Sequence, residues 1–121
     1  MNYFETNSKL YSVVDAPGYG NRGVSGHRAK KLANLVKKYA NESSRLCKIF
    51  WLVDINKGLQ DPDFEFISEM AERRIAMELV FTKADVFKHT EELMYRAFGL
   101  SHEVKRFNRF ISPICHLTSA K

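Results

Sequence analysis

Short apolar runs alternate along the chain with longer segments of helical spacing, and polar or glycine-bearing breaks separate them. Residues 1–4 read as the end of a strand, Thr6-Asn7-Ser8-Lys9 as a polar turn, and the apolar residues 10–14 as the next strand, a hairpin-like start. Asp15-Ala16-Pro17-Gly18-Tyr19-Gly20 stops that strand. Ser25 is then an N-cap residue type, and Ala29, Leu32, Val36 and Tyr39 or Ala40 share one face of a helix running to about residue 40. Its opposite face carries Arg28, Lys30, Lys31, Lys37 and Lys38. Beyond a loop at 41–44, residues 46–53 form an apolar run broken only by Lys48. This is the pattern of a central parallel strand buried on both faces, with Trp51 in the core and Asp54 at its end.

Asn56-Lys57-Gly58 marks a turn, and Asp61-Pro62 predicts a helix start, with Asp as cap and Pro at the first helical position. Phe64, Ile67, Met70 and Ala71 make the apolar stripe of this helix, and Arg73 and Arg74 suit its carboxyl end. Residues 77–81 read as another strand. Thr90-Glu91-Glu92 opens a helix to about Phe98, closed by Gly99. Residues 101–110 read as a second, basic helical piece, and Ser112-Pro113 breaks it before a last strand ending at Leu117. Strands alternating with helices in this way predict a parallel sheet covered by helices.

At 121 residues the chain is one domain at most, and 45% apolar content marks it as globular. The excess of 19 Lys and Arg over 14 Asp and Glu gives +5 and a pI near 9.3, which favours acidic partners such as RNA or a membrane surface. No apolar run approaches the about 20 residues of a membrane span, and Met1-Asn2-Tyr3-Phe4-Glu5 does not have the pattern of a signal or transit peptide. Cys47 and Cys115 are too few for a disulfide framework or a zinc site. Both lie in apolar runs, so buried free thiols and a reducing compartment are expected. His27, His89, His102 and His116 have no metal-ligand spacing, and no Ser/His/Asp or Cys/His set is supported.

The chemistry concentrates at three strand ends. Asp15 lies at the carboxyl end of a strand, where open α/β sheets bind ligands. An aspartate there can hold Mg²⁺ through water, and a loop glycine lets the backbone approach a phosphate. Alone, Asp-x-x-Gly is an ordinary strand-to-loop turn. Thr82-Lys83-Ala84-Asp85 and Thr118-Ser119-Ala120-Lys121 follow two further apolar runs and can reach the same sheet edge.

The order Asp-x-Pro-Gly, Thr-Lys-x-Asp, Ser-Ala-Lys resembles the second half of a translation-factor-class GTPase. The fuller string Asp15-Ala16-Pro17-Gly18-Tyr19-Gly20, with Thr-Lys-Ala-Asp in place of Asn-Lys-x-Asp and Asn2-Tyr3-Phe4 before the first strand, is similar to the EngB (YihA/YsxC) family of ribosome-assembly GTPases. The resemblance covers nearly the whole chain. It implies a P-loop-NTPase-like three-layer α/β/α fold with a mostly parallel sheet. It implies binding of GTP or GDP with Mg²⁺, and action on the ribosomal large subunit or its RNA in the cytoplasm or in a mitochondrial or plastid matrix, with no membrane partner.

Residue by residue, the resemblance implies that Asp85 accepts from the guanine N1 and N2 donors, a charged paired contact that adenine cannot match. Lys83 lays its stem across the ring, the Ala120 N–H meets the guanine carbonyl, and Ser119 and Lys121 shape that loop. Thr82 stands where many such enzymes have Asn; its shorter side chain braces loops but reaches the base less well. Asp15 holds Mg²⁺ through water, Pro17 is counted among the nucleotide-binding residues, and the Gly18 N–H senses the γ-phosphate. Tyr19 occupies the place of the water-orienting Gln of Ras-like enzymes, so intrinsic hydrolysis should be slow. Residues 19–25 form the switch, where Gly20 and Gly23 supply backbone freedom.

The chain departs from the family's pattern in one respect. No Gly-x-x-x-x-Gly-Lys-[Ser/Thr] occurs in it. That loop, with the first strand, and also the last helix are missing, so an incomplete domain is expected: a truncated gene product, an incomplete gene model or an excised piece. Two further readings stay open: a non-catalytic remnant that binds RNA or other partners through its basic helices, and an unrelated α/β domain that uses ATP.

Overall fold

The polar turn at residues 6–9 folds the chain back on itself. Asn2–Glu5 (β1) and Ser12–Asp15 (β2) pair antiparallel, Asn2 opposite Asp15 and Glu5 opposite Ser12. Lys9 takes a left-handed backbone (φ 56°) in the turn, its N–H donating to the Thr6 carbonyl at 2.8 Å. The computed structural model describes residues 1–18 and 26–120, so Tyr19, the rest of the 19–25 switch with its Ser25 cap, the Ala29 side chain and Lys121 lie outside the described part. The chain divides into two units, Met1–Ser44 and Arg45–Lys121.

The first unit holds the hairpin and one helix, Gly26–Glu42 (α1). Of the expected apolar stripe, Ala40 is buried and Leu32, Val36 and Tyr39 are half-buried, with Tyr39 set edge-on to Tyr3 at 6.3 Å. Arg28, Lys30, Lys31 and Lys38 are exposed.

The second unit is an α/β arrangement. Lys48–Asp54 (β3), Ala76–Thr82 (β4) and Ile111–Leu117 (β5) form a parallel sheet in the order β3-β4-β5. Asp61–Glu72 (α2) and Thr90–Phe107 (α3) make the crossovers. Period-two alternation along β4 buries Met77, Leu79 and Phe81, and Trp51 and Val53 of β3 are buried as well. Phe66, Ile67 and Met70 of α2 and Ala97, Leu100 and Val104 of α3 are buried too. Trp51 stacks on Phe66 at 4.4 Å, a pair contributing about 0.5–1.5 kcal/mol beyond its area. Asn108, fully buried, knots this core: its backbone N–H donates to the Val104 carbonyl, its side-chain Nδ2 to the Ile67 carbonyl at 3.4 Å, and its side-chain Oδ1 accepts the Phe110 N–H at 2.9 Å. This is an α/β sheet flanked by helices, as part of a P-loop-NTPase-like fold requires.

Several local expectations are corrected. β3 is not buried on both faces: among the described residues its only sheet partner is β4, and Phe50 and Leu52 are 55% and 65% exposed on the side away from Trp51. That same side carries Glu78, whose carboxyl is held below the usual range by hydrogen bonds from Lys48 and then from His116, the latter at 2.8 Å. The cap of α2 is Gln60, one residue earlier than expected, because the Asp63 carboxylate accepts the Gln60 N–H at 2.7 Å. Gly99 does not end a helix. α3 runs through it, since the buried Ala97, Leu100 and Val104 continue one apolar stripe, and a mid-helix glycine costs only about 1 kcal/mol. Ser112-Pro113 lies within β5, an edge strand with a register irregularity opposite Met77 and Leu79, where a missing N–H is tolerated. Cys47 is exposed just before β3 and Cys115 is half-buried on the edge strand, so neither is the buried thiol that its apolar run implied.

Candidate functional site

In a parallel sheet every strand delivers its carboxyl end to the same rim. In the second unit that rim gathers Asp54 from β3, Thr82 and the single 3-10 turn Ala84–Val86 after β4, and Thr118, Ser119 and Ala120 after β5.

The β4 and β5 loops are joined directly. The Thr118 N–H donates to the Phe81 carbonyl at 2.8 Å, and the Thr118 hydroxyl donates to the same oxygen at 3.1 Å. The Ala84 N–H donates to the Thr118 carbonyl at 3.0 Å. Across this backbone seam the Ser119 hydroxyl donates to Asp85 Oδ1 at 2.7 Å. Asp85, Ser119 and Ala120 are all exposed, so the aimed carboxylate faces outward. Thr82 faces the other way: its hydroxyl reaches the Val53 carbonyl at 3.3 Å, and its own carbonyl accepts the Ile55 N–H at 3.2 Å, tying β4 to the end of β3.

Lys83 stands between these two sets of ties in a left-handed backbone (φ 59°, ψ 36°), a conformation costing roughly 1–2 kcal/mol for a residue with a Cβ. Such strain concentrates where a side chain must be aimed. Lys83 Nζ donates to Asp54 Oδ2 at 3.0 Å. Asp54 Oδ1 accepts the Asn56 and Lys57 N–H groups at 3.0 and 3.4 Å. Burial pushes the Asp54 carboxyl upward, but the Lys83 hydrogen bond and the Lys57 and Asn56 N–H groups outweigh it, and its pKa is lowered. The 55–58 turn is clamped by Arg96 of α3, whose Nε donates to the Ile55 carbonyl at 3.1 Å and Nη2 to the Asn56 carbonyl at 3.4 Å. Gly58 closes the turn at φ +74°, where a Cβ would stand 2.6 Å from the Arg96 guanidinium.

The structure thus brings together Thr82, Lys83, Asp85, Ser119 and Ala120 on one rim. Asp15, Pro17 and Gly18 belong to the first unit: Asp15 is exposed at the end of β2, Pro17 is half-buried and Gly18 exposed. Tyr19 and Lys121 lie outside the described residues. Among the described residues no group of three or more His, Cys, Asp or Glu gathers as a metal cage. A lone exposed carboxylate fits a Mg²⁺ held mainly by water and phosphate oxygens. Asp54 and Arg96 were missed as site residues. The signal for Asp54 was in plain view, a carboxylate ending a strand just as Asp15 does. For Arg96, on a helix 40 residues from the carbonyl it meets, the sequence carried no signal.

A parallel sheet flanked by helices, with an oriented carboxylate at its strand-end rim, is the arrangement of part of a P-loop-NTPase-like fold. No protein-family model matches the chain. It is similar to the "Probable GTP-binding protein EngB" of Thermotoga petrophila, 36% identical over 110 residues that cover 91% of this chain and 54% of the relative. The proteins of that name from Anaplasma marginale (36% over 88 residues, 73% of this chain and 43% of the relative) and Phocaeicola vulgatus (31% over 85 residues, 70% and 42%) are similar as well. The chain belongs to the EngB family, and it spans about half the length of the curated relatives it matches.

Proposed function

We propose that this chain carries the base-reading part of an EngB-type GTP-binding protein, and that its two units are parts of one GTPase domain. The observation that supports this most is the Ser119–Asp85 hydrogen bond at 2.7 Å across two strand-end loops. It fixes one carboxylate oxygen and sets the plane in which Asp85 meets a partner. A carboxylate so held accepts from two adjacent donors, which the N1–H and 2-amino groups of guanine supply and adenine does not. The Lys83 stem closes one face of the ring by apolar contact. The Ala120 N–H donates to the guanine carbonyl, and Lys121 is assigned to the same motif by its place in the sequence. By their place in the family's motif, Asp15 would hold Mg²⁺ through water, and Pro17, Gly18 and Tyr19 are assigned to nucleotide binding. In the whole protein, the bound GTP and Mg²⁺ supply the hydrolysable anhydride and the charge that neutralises it. The switch so formed acts in assembly of the large ribosomal subunit, in the cytoplasm or an organelle matrix.

Titration of the chain with a fluorescent GDP analogue, competed by GDP and by ADP, tests the reading. An unpaired charged acceptor costs upwards of about 1–3 kcal/mol, so GDP should compete at least about fivefold better than ADP. Equal competition would contradict the reading.

The exposed basic residues of α1 favour a second reading, an RNA-contacting module without turnover. It requires affinity for ribosomal RNA that falls steeply with salt, and that persists when Lys30, Lys31 and Lys38 are intact but fails when all three are replaced by Ser. No described helix is long and apolar enough to cross a membrane.

A further inference from the structure

Asp54 sits at the rim without a role in the reading above, and its two oxygens do different work. Oδ1 is occupied by the Asn56 and Lys57 N–H groups, which fix the carboxylate to a turn that Arg96 clamps from α3. Oδ2 holds Lys83 Nζ at 3.0 Å. The Lys83 side chain is 62% exposed and that of Asp54 19%, so a flexible cation is tethered to a fixed anion. A part-exposed ion pair of this kind adds little stability. What it changes is the freedom of the lysine stem, whose ordering would otherwise be charged against binding.

We propose that Asp54 is a positioning residue for guanine-nucleotide binding: by tethering Lys83 it presets the lysine stem as one wall of the base pocket. This rests on the guanine reading above. Asp54 touches Lys83 and the turn and acts on the base through Lys83, so its effect must vanish when Lys83 is removed. The lowered Asp54 pKa fits this role, since the tether stays charged at neutral pH.

A double-mutant cycle on the full chain separates this role from a structural one. The affinity for GDP is read by displacement of a fluorescent GDP analogue from the unmodified chain, Asp54→Asn, Lys83→Ala and the double variant. Asparagine keeps an oxygen for the Asn56 and Lys57 N–H groups and removes the charge that holds Lys83. Asp54→Asn should weaken GDP binding about fivefold, the cost of ordering one long side chain. In the Lys83→Ala background the same change should cost less than about twofold. Equal losses in both backgrounds would mean that Asp54 only supports its turn, and an unchanged or tighter affinity in Asp54→Asn would mean that the tether does not aid binding. Either overturns the proposal while leaving guanine binding standing. An unmodified chain that binds GDP no better than ADP removes both readings. Should Asp54→Asn fail to fold, the Lys83 side-chain ammonium signal of the unmodified chain decides: it must shift as the Asp54 carboxyl is titrated, and a signal indifferent to that titration overturns the tether.

Discussion

The loops after β4 and β5 are stitched to each other, whereas the loop after β2 leaves a two-stranded hairpin in a separate unit. Asp85 is oriented by Ser119 across a backbone seam, and the seam hangs from strands whose alternate residues form a buried core. Asp15 ends a four-residue strand of which every residue but Val14 is exposed. A two-stranded hairpin is marginal by itself, while a parallel sheet buried under helices holds its strand ends in fixed register. Recognition by a planar, paired hydrogen bond needs such fixed geometry; a carboxylate facing a hydrated metal does not.

The strongest way to break this contrast is Asp85→Ala. It removes the charged acceptor and should lower GDP affinity by about 1.5–3 kcal/mol and abolish preference over ADP, read by competition binding. Ser119→Ala leaves the carboxylate but frees its orientation. About 1 kcal/mol should be lost, with a residual guanine preference, in the same assay. Asp15→Asn should change the Mg²⁺ dependence of nucleotide binding and leave the ratio of GDP to ADP affinities within about twofold, since that ratio is set at Asp85.

The smallest effect is the pH response of the Asp54 tether. Its folded pKa lies below the ordinary carboxylate value, so its contribution to stability is complete above that value and is lost as the pH falls through the lower, folded one. Asp54→Asn should therefore narrow the difference in urea midpoint between neutral pH and about pH 3, the part-exposed pair limiting the change to a fraction of the whole acid effect.

Much of this was legible in the residue pattern. The alternation in β4, the Asp61-Pro62 helix start and the three loop motifs needed only local rules, and their order carried the family resemblance. The failures share a cause. Residues 46–53 have the composition of a strand covered on both sides, but which faces are covered depends on distant helices, and here Phe50 and Leu52 face outward. Gly99 reads as a stop by propensity, and tertiary burial of Leu100 and Val104 overrides it. Asn108 and Arg96 act through carbonyls about 40 residues away, a partnership no local window contains.

The central claim is that the Asp85 carboxylate reads the base, and Asp85→Asn tests it most directly. An asparagine amide accepts from N1–H and donates to a 2-carbonyl, so it matches xanthine as the carboxylate matches guanine. The variant should bind xanthosine diphosphate at least about tenfold more tightly than GDP, reversing the preference of the unmodified chain. A variant that still prefers GDP, or an unmodified chain indifferent to the exchange of bases, would contradict the account.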